Sequence, residues 1–186
     1  MIGADFFHSV RSEIVGSYWR DYEGHEDRFV PAFFCNDILR LWRTFCVTYE
    51  ARTSEETESK KIKRRKKNYK LRHARIMTCY SALAMLVHNE ASGKPNSPQC
   101  AVDICNLTPI ERFEYLQSKS TDGAEDVLNL YNNFLELSAE TDFGENFSKE
   151  TYNNERRKES RRFSEAVYKT LCNSGKETTL LKRLLV

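Results

Sequence analysis

Between residues 60 and 75 stand ten cations in sixteen positions, Lys60, Lys61, Lys63, Arg64, Arg65, Lys66, Lys67, Lys70, Arg72 and Arg75, with no acid among them. On a helix they surround every face. Like charges at this density repel, so the segment has to be solvated or matched by an anion. From Ile76 the same stretch turns apolar, IMTCYSALAMLVHNEA, and reads as a buried helix. One helical run over residues 62 to 90 therefore joins a charged half to a core half.

The rest of the chain has to supply the cover for that core half. At 186 residues, 40% apolar and 30% charged, it suits one domain that buries roughly two-thirds of its unfolded surface. Seven Gly and four Pro are few for a loop-rich sandwich or barrel. The expected fold is all-α, a helical bundle around a long antiparallel helix pair. Phe6, Phe7, Val10, Ile14, Val15, Tyr18 and Trp19 recur at spacings of three and four and predict a first helix over 4–22. Pro31 then opens a second helix, whose stripe of Phe34, Ile38, Leu41, Trp42, Phe45, Cys46 and Tyr49 predicts a core face.

The polar stretch TSEETES, residues 53–59, connects this second helix to the basic run. A reversal near residue 57 makes the two helices the central antiparallel pair. It sets Arg43 opposite about Leu71, Arg40 opposite about Ala74 and Asn36 opposite about Thr78. SGKPNSPQ, residues 92–99, reads as a linker between a helical core (1–91) and a C-terminal helical subregion (100–186) packed on it within one domain. In that subregion Thr108-Pro109-Ile110-Glu111 carries a helix-start signature, with Thr108 as cap, Pro109 at the first position and Glu111 reaching back. A further helix is expected over 122–138, with Val127, Leu128, Tyr131 and Leu135 inward. A charged helix over 148–171 and a last turn after Thr178 follow.

Several function classes are excluded or disfavoured. No apolar run approaches the 18 or more residues of a membrane span, and the N-terminal residues carry no secretory pattern, so a cytoplasmic location without membrane contact is expected. Six scattered cysteines without a C-x2-C predict free thiols and no structural metal, and no motif calls for a cofactor. A net charge of +2 leaves attraction to nucleic acid to local clustering. The nucleic-acid candidates are accordingly Lys60, Lys61, Lys63, Arg64, Arg65, Lys66 and Lys67. Arg20 and His25 match the R-x4-H spacing of HEPN-type helical ribonucleases, in which such a pair serves as phosphate stabiliser and general base. A chain of this composition holds roughly one such spacing by chance.

A second cluster is more specific. Asn36, Asp37, Arg40 and Arg43 interrupt an apolar helix, and the expected reversal faces them with Asn68, Lys70, Arg72 and Arg75. One carboxylate among several guanidinium groups leaves positive charge for a phosphate, a nucleotide or an acidic partner segment, and Asp37 is expected to accept from Arg72 or Arg75.

These residues also carry a resemblance. Asn36-Asp37-Ile38 with Arg40, Trp42-Arg43, Tyr49-Glu50, then Asn68, Lys70-Leu71-Arg72 and Arg75, within a stretch from about Tyr18 to Leu86 and continued by TPIERFEYL, resemble the helical C-terminal part of bacterial nucleotidyltransferase-domain proteins. In that family a catalytic domain with Gly-Ser and paired Asp residues precedes these helices. Here Gly16-Ser17 is followed by Asp21 alone, and no D-x-D occurs. Catalysis is therefore not among the properties that the resemblance carries over to this chain. The resemblance implies a fragment, a truncated relative or a stand-alone helical partner of a nucleotidyltransferase catalytic domain or subunit, lending polar residues to its cleft.

Overall fold

Ile76–Ala91 (α4) is apolar on nearly every face and is correspondingly buried on nearly every face, from Ile76 and Met77 through Leu83 and Leu86 to Val87. A computed structural model describes residues 4–25, 29–51, 57–175 and 178–184, and shows how the other elements cover this helix. All are helical, and no strand occurs among the described residues. The chain runs Ala4–Gly16 (α1), a 3-10 segment Ser17–Tyr22, Ala32–Ala51 (α2), Glu58–Lys70 (α3), a π-helical segment Leu71–Arg75, and α4. Pro98–Asn106 (α5), Pro109–Ser118 (α6), Ala124–Ala139 (α7), Phe143–Asn146 (α8), Glu150–Gly175 (α9) and Thr179–Lys182 (α10) follow.

The main core joins α4 to α6, α7 and α9 through Phe113, Leu116, Val127, Phe163 and Val167, all buried. Close approach of α4 and α9 depends on Gly175: a Cβ there would lie 2.4 Å from Val87 Cγ1 and 2.9 Å from Leu181 Cδ2. A second cluster of Tyr69, Phe134, Phe143 and Phe147 fills the space between α3, α7 and α8. Arg112 is buried without a carboxylate. Its Nε donates to the Ile104 carbonyl at 2.8 Å, and Nη1 donates to Ser81 Oγ at 3.1 Å and to the Thr78 carbonyl at 3.3 Å, tying α4, α5 and α6 together.

Local signals translate directly. Thr108 Oγ1 accepts from the Glu111 amide and Glu111 Oε2 accepts from the Thr108 amide at 2.6 Å, completing the capping box at the start of α6. Residues 92–99 behave differently from a free linker. Asn96 is buried, its amide donates to the Leu86 carbonyl at 2.8 Å, and its own carbonyl accepts from Trp19 Nε1 at 3.0 Å. Buried polar groups need such partners, and these ones fix the corner between α4 and α5. The first helix is shorter than its periodicity suggests. Val15 and Trp19 are buried, but Phe6, Phe7 and Ile14 stay exposed, because among the described residues α1 packs chiefly against α5, which does not cover so wide a stripe.

The expected central pair also takes another form. Residues 52–56 of the proposed reversal lie outside the described residues, but the helices on either side fix the packing. Trp42 meets Tyr80 with ring centroids 6.2 Å apart, and Arg75 lies 4.7 Å over the Phe45 ring. This register is displaced by about two turns from the expected one. The cause is chemical: α3 buries only Tyr69, so α2 finds no apolar surface there and packs chiefly on the π-helical segment and α4. Only Phe34, Cys35 and Leu39 of α2 are buried, and Leu41 is exposed.

A candidate anion-binding cleft between α3 and α9

With α2 displaced, α3 lies beside α9, and a cleft of about 500 Å³ opens between them. Two rows of side chains line it. From α3 and the π-helical segment come Lys61, Arg64, Arg65, Asn68, Tyr69 and Arg72; from α9 come Asn153, Arg156, Arg157, Ser160 and Arg161. Both rows step by three and four residues, the spacing that keeps side chains on one helical face. Tyr49 and Phe147 complete the lining. None of the lining residues is acidic, and seven are cationic.

Carboxylates just outside the lining hold some of these cations. Arg65 pairs with Glu150 at 2.6 Å and also donates to the Phe147 carbonyl at 3.1 Å. Lys61 pairs with Glu58 at 2.7 Å, and Arg156 with Glu159 at 2.9 Å. Tyr69 donates its hydroxyl to the other oxygen of Glu159 at 2.9 Å, and burial with the nearby carboxylate pushes its pKa up. Arg72, Arg157 and Arg161 make no ion pair among the described residues and are exposed. Two lining residues are instead largely buried. Asn153 is 3% exposed and its side-chain nitrogen has no hydrogen-bond partner; Arg156 is 11% exposed, lies 4.8 Å over the Tyr152 ring, and leaves Nε and Nη1 without partners.

The ten cations of residues 60–75 are thereby sorted. Lys61, Arg64, Arg65 and Arg72 face the cleft. Lys66 and Lys70 each place Nζ 5.7 Å from the Phe143 ring centroid, covering the second core cluster. Lys60, Lys63 and Lys67 are exposed away from the cleft lining. Arg75 is taken up by Phe45.

The cluster expected around Asp37 does not assemble as one site. Asp37 accepts from the Tyr18 hydroxyl at 2.8 Å and from Arg40 at 2.5 Å, not from Arg72 or Arg75. The Tyr18 hydrogen bond and the Arg40 charge hold its pKa below the ordinary carboxylate value, while burial and Asp37 push the Tyr18 phenol up to about 12. Asn36 donates to the Arg183 carbonyl at 3.4 Å, and Arg43 is exposed. The two-turn shift of register separates these α2 residues from Asn68 and Arg72, which go to the cleft. Asp37 and Arg40 side chains are 39% and 72% exposed, so this is a solvent-screened pair. Asp37→Asn is expected to cost less than about 1 kcal/mol, and a fall larger than that in urea unfolding would refute the screened-pair description. Arg20 and His25 are both exposed and neither lines the cleft.

Arg156, Arg157 and Arg161 were missing from the sequence-derived candidates, since a charged helix reads as a solvated one. Their signal is the matched spacing: Asn153, Arg156, Arg157, Ser160 and Arg161 repeat the step pattern of Lys61, Arg64, Arg65, Asn68 and Tyr69. No family model, curated protein or solved structure matches the chain. No helix of the described residues is long and apolar enough to cross a membrane, and none of their His, Cys, Asp and Glu side chains form a group of three suited to a metal.

Proposed function

We propose that this chain is a non-catalytic helical module that holds the phosphate groups of a nucleotide-like ligand in the α3–α9 cleft. The observation that carries the reading is the convergence of two cationic rows on one cleft whose lining has no acid. A volume of about 500 Å³ lies in the range of small-ligand sites. Guanidinium groups bind phosphate oxygens in pairs of hydrogen bonds, which favours phosphate over a simple monoanion. The resemblance of residues 18 to 86 to the helical part of nucleotidyltransferases gives the reading a setting. The catalytic carboxylates would come from a partner domain or subunit, in a bacterial cytoplasm. Six unpaired thiols are compatible with that compartment.

Exposed Lys60, Lys63 and Lys67 favour a second reading, in which the outer face of α3 binds nucleic acid. One experiment separates the two. Calorimetric titration of the chain with ATP is expected to show binding that weakens about tenfold or more in Arg157→Ala/Arg161→Ala, because each lost charge-assisted contact is worth about 1.5 to 3 kcal/mol, offset in part by solvation. Binding should be unaffected in Lys60→Gln/Lys63→Gln/Lys67→Gln. The reverse ranking, with duplex RNA as the tighter ligand, would establish the outer face instead.

A further inference from the structure

We infer that the cleft takes phosphates joined directly to one another, a di- or triphosphate free of metal ion, and grades its ligands by the number of phosphates they carry. This rests on the phosphate-binding reading and specifies its ligand class. The starting point is the charge that the protein itself leaves unmatched. Of the seven cationic residues in the lining, Lys61, Arg65 and Arg156 have carboxylate partners in Glu58, Glu150 and Glu159. Arg72, Arg157 and Arg161 are exposed and make no ion pair among the described residues. They come from both walls, Arg72 from the π-helical segment and the other two from successive turns of α9.

Three guanidinium groups set the size of the anion that balances them. A single terminal phosphate carries a charge of about −1.5 to −2 near neutral pH, which leaves at least one of the three unmatched. Each guanidinium fork takes two oxygens of one phosphate, so three forks are satisfied by phosphates in series. A nucleic-acid strand brings one charge with each nucleotide, whereas a volume of about 500 Å³ suits one small ligand, and only directly joined phosphates concentrate three charges there. The same lining disfavours a carrier ion. Mg²⁺ on a polyphosphate is held to a protein through carboxylates, and the lining has none, while Glu58, Glu150 and Glu159 beside it are already engaged by its cations. The ion would also cancel the charge that the arginines match.

Calorimetric titration of the full chain with AMP, ADP, ATP and inorganic triphosphate, in EDTA and then in excess Mg²⁺, reads this count. Affinity is expected to rise about fivefold or more with each phosphate from AMP to ATP, and ATP binding to fall about fivefold or more in Mg²⁺, as added and cancelled charge-assisted contacts require. Inorganic triphosphate separates the two sources of the phosphate chain: affinity within about threefold of ATP assigns the site to the chain alone, and weaker binding than that assigns it to a nucleotide. Arg72→Gln, Arg157→Gln and Arg161→Gln, all at exposed positions, should each weaken ATP more than AMP and so flatten the series. Lys60→Gln/Lys63→Gln/Lys67→Gln should leave it unchanged. AMP bound as tightly as ATP, or ATP tightened by Mg²⁺, with binding still weakened by Arg157→Gln, would overturn the phosphate count and leave the cleft reading standing. No binding of any of the four ligands, or a series flattened only by the Lys60, Lys63 and Lys67 variant, would overturn both.

Discussion

Acidification from pH 6.5 to pH 4 is expected to remove up to about 3 kcal/mol of folding stability through one residue, His73. Its ring is 1% exposed, stacked on Phe134 at 4.6 Å and on Phe163 at 4.9 Å. Nδ1 lies 2.8 Å from the Tyr69 carbonyl, an acceptor only, so Nδ1 carries the proton of the neutral ring. Burial depresses the pKa from 6.5 to about 4, a shift opposed by that carbonyl and reinforced by Arg156 and Arg72. The folded state therefore binds fewer protons than the unfolded state between these two values. The contribution is fully present above pH 6.5 and is lost as pH falls toward 4. Urea unfolding at half-unit intervals of pH would show the slope, and His73→Gln, which keeps a donor to the carbonyl, should flatten it. A wild-type profile already flat across this interval would refute the buried neutral imidazole.

Removing one wall of the same sandwich should have a larger effect. Phe163 is fully buried on α9 and packs against both His73 and Tyr131. Phe163→Ala deletes a ring at the point where α4, α7 and α9 meet, and such truncations cost about 3 to 5 kcal/mol. The cavity also relaxes the desolvation of His73. The variant's stability should thus depend less on pH between 4 and 6.5 than the wild type's, which a simple packing loss would not produce. A loss below about 1.5 kcal/mol would show that the core collapses around the gap.

How far the sequence discloses this architecture depends on the range of the interaction concerned. The capping box at Thr108 and Glu111 is legible because it is complete within four residues. Burial of α4 follows from its own composition, which leaves no polar face to turn outward. The position of α2 is not legible in the same way. Its stripe says that something must cover it, but the choice between α3 and α4 depends on a neighbour twenty or more residues away, and a loop-length argument picks the nearer one. The cleft is half legible: Lys61, Arg64, Arg65, Asn68 and Arg72 stand out by charge, whereas their counterparts on α9 are hidden among equally charged solvated positions. Only tertiary packing makes the two rows face each other.

The π-helical segment at Leu71–Arg75 has a consequence for that facing. Each residue of an α-helix advances the side-chain direction by about 100°, so a single wide turn resets the angle of everything before it relative to everything after it. It works as a phase adjuster between α3 and α4. Deleting one residue there would leave the core helix seated and rotate α3 by about a quarter turn or slightly more, exchanging the row that meets α9 for another. Since cations surround α3, any phase presents positive charge, but only the present one also brings Tyr69 onto Phe134 and Asn68 into the cleft. The face that α3 turns to the cleft is thus open to change by insertion or deletion at a single turn, without any substitution among the residues of α3 itself.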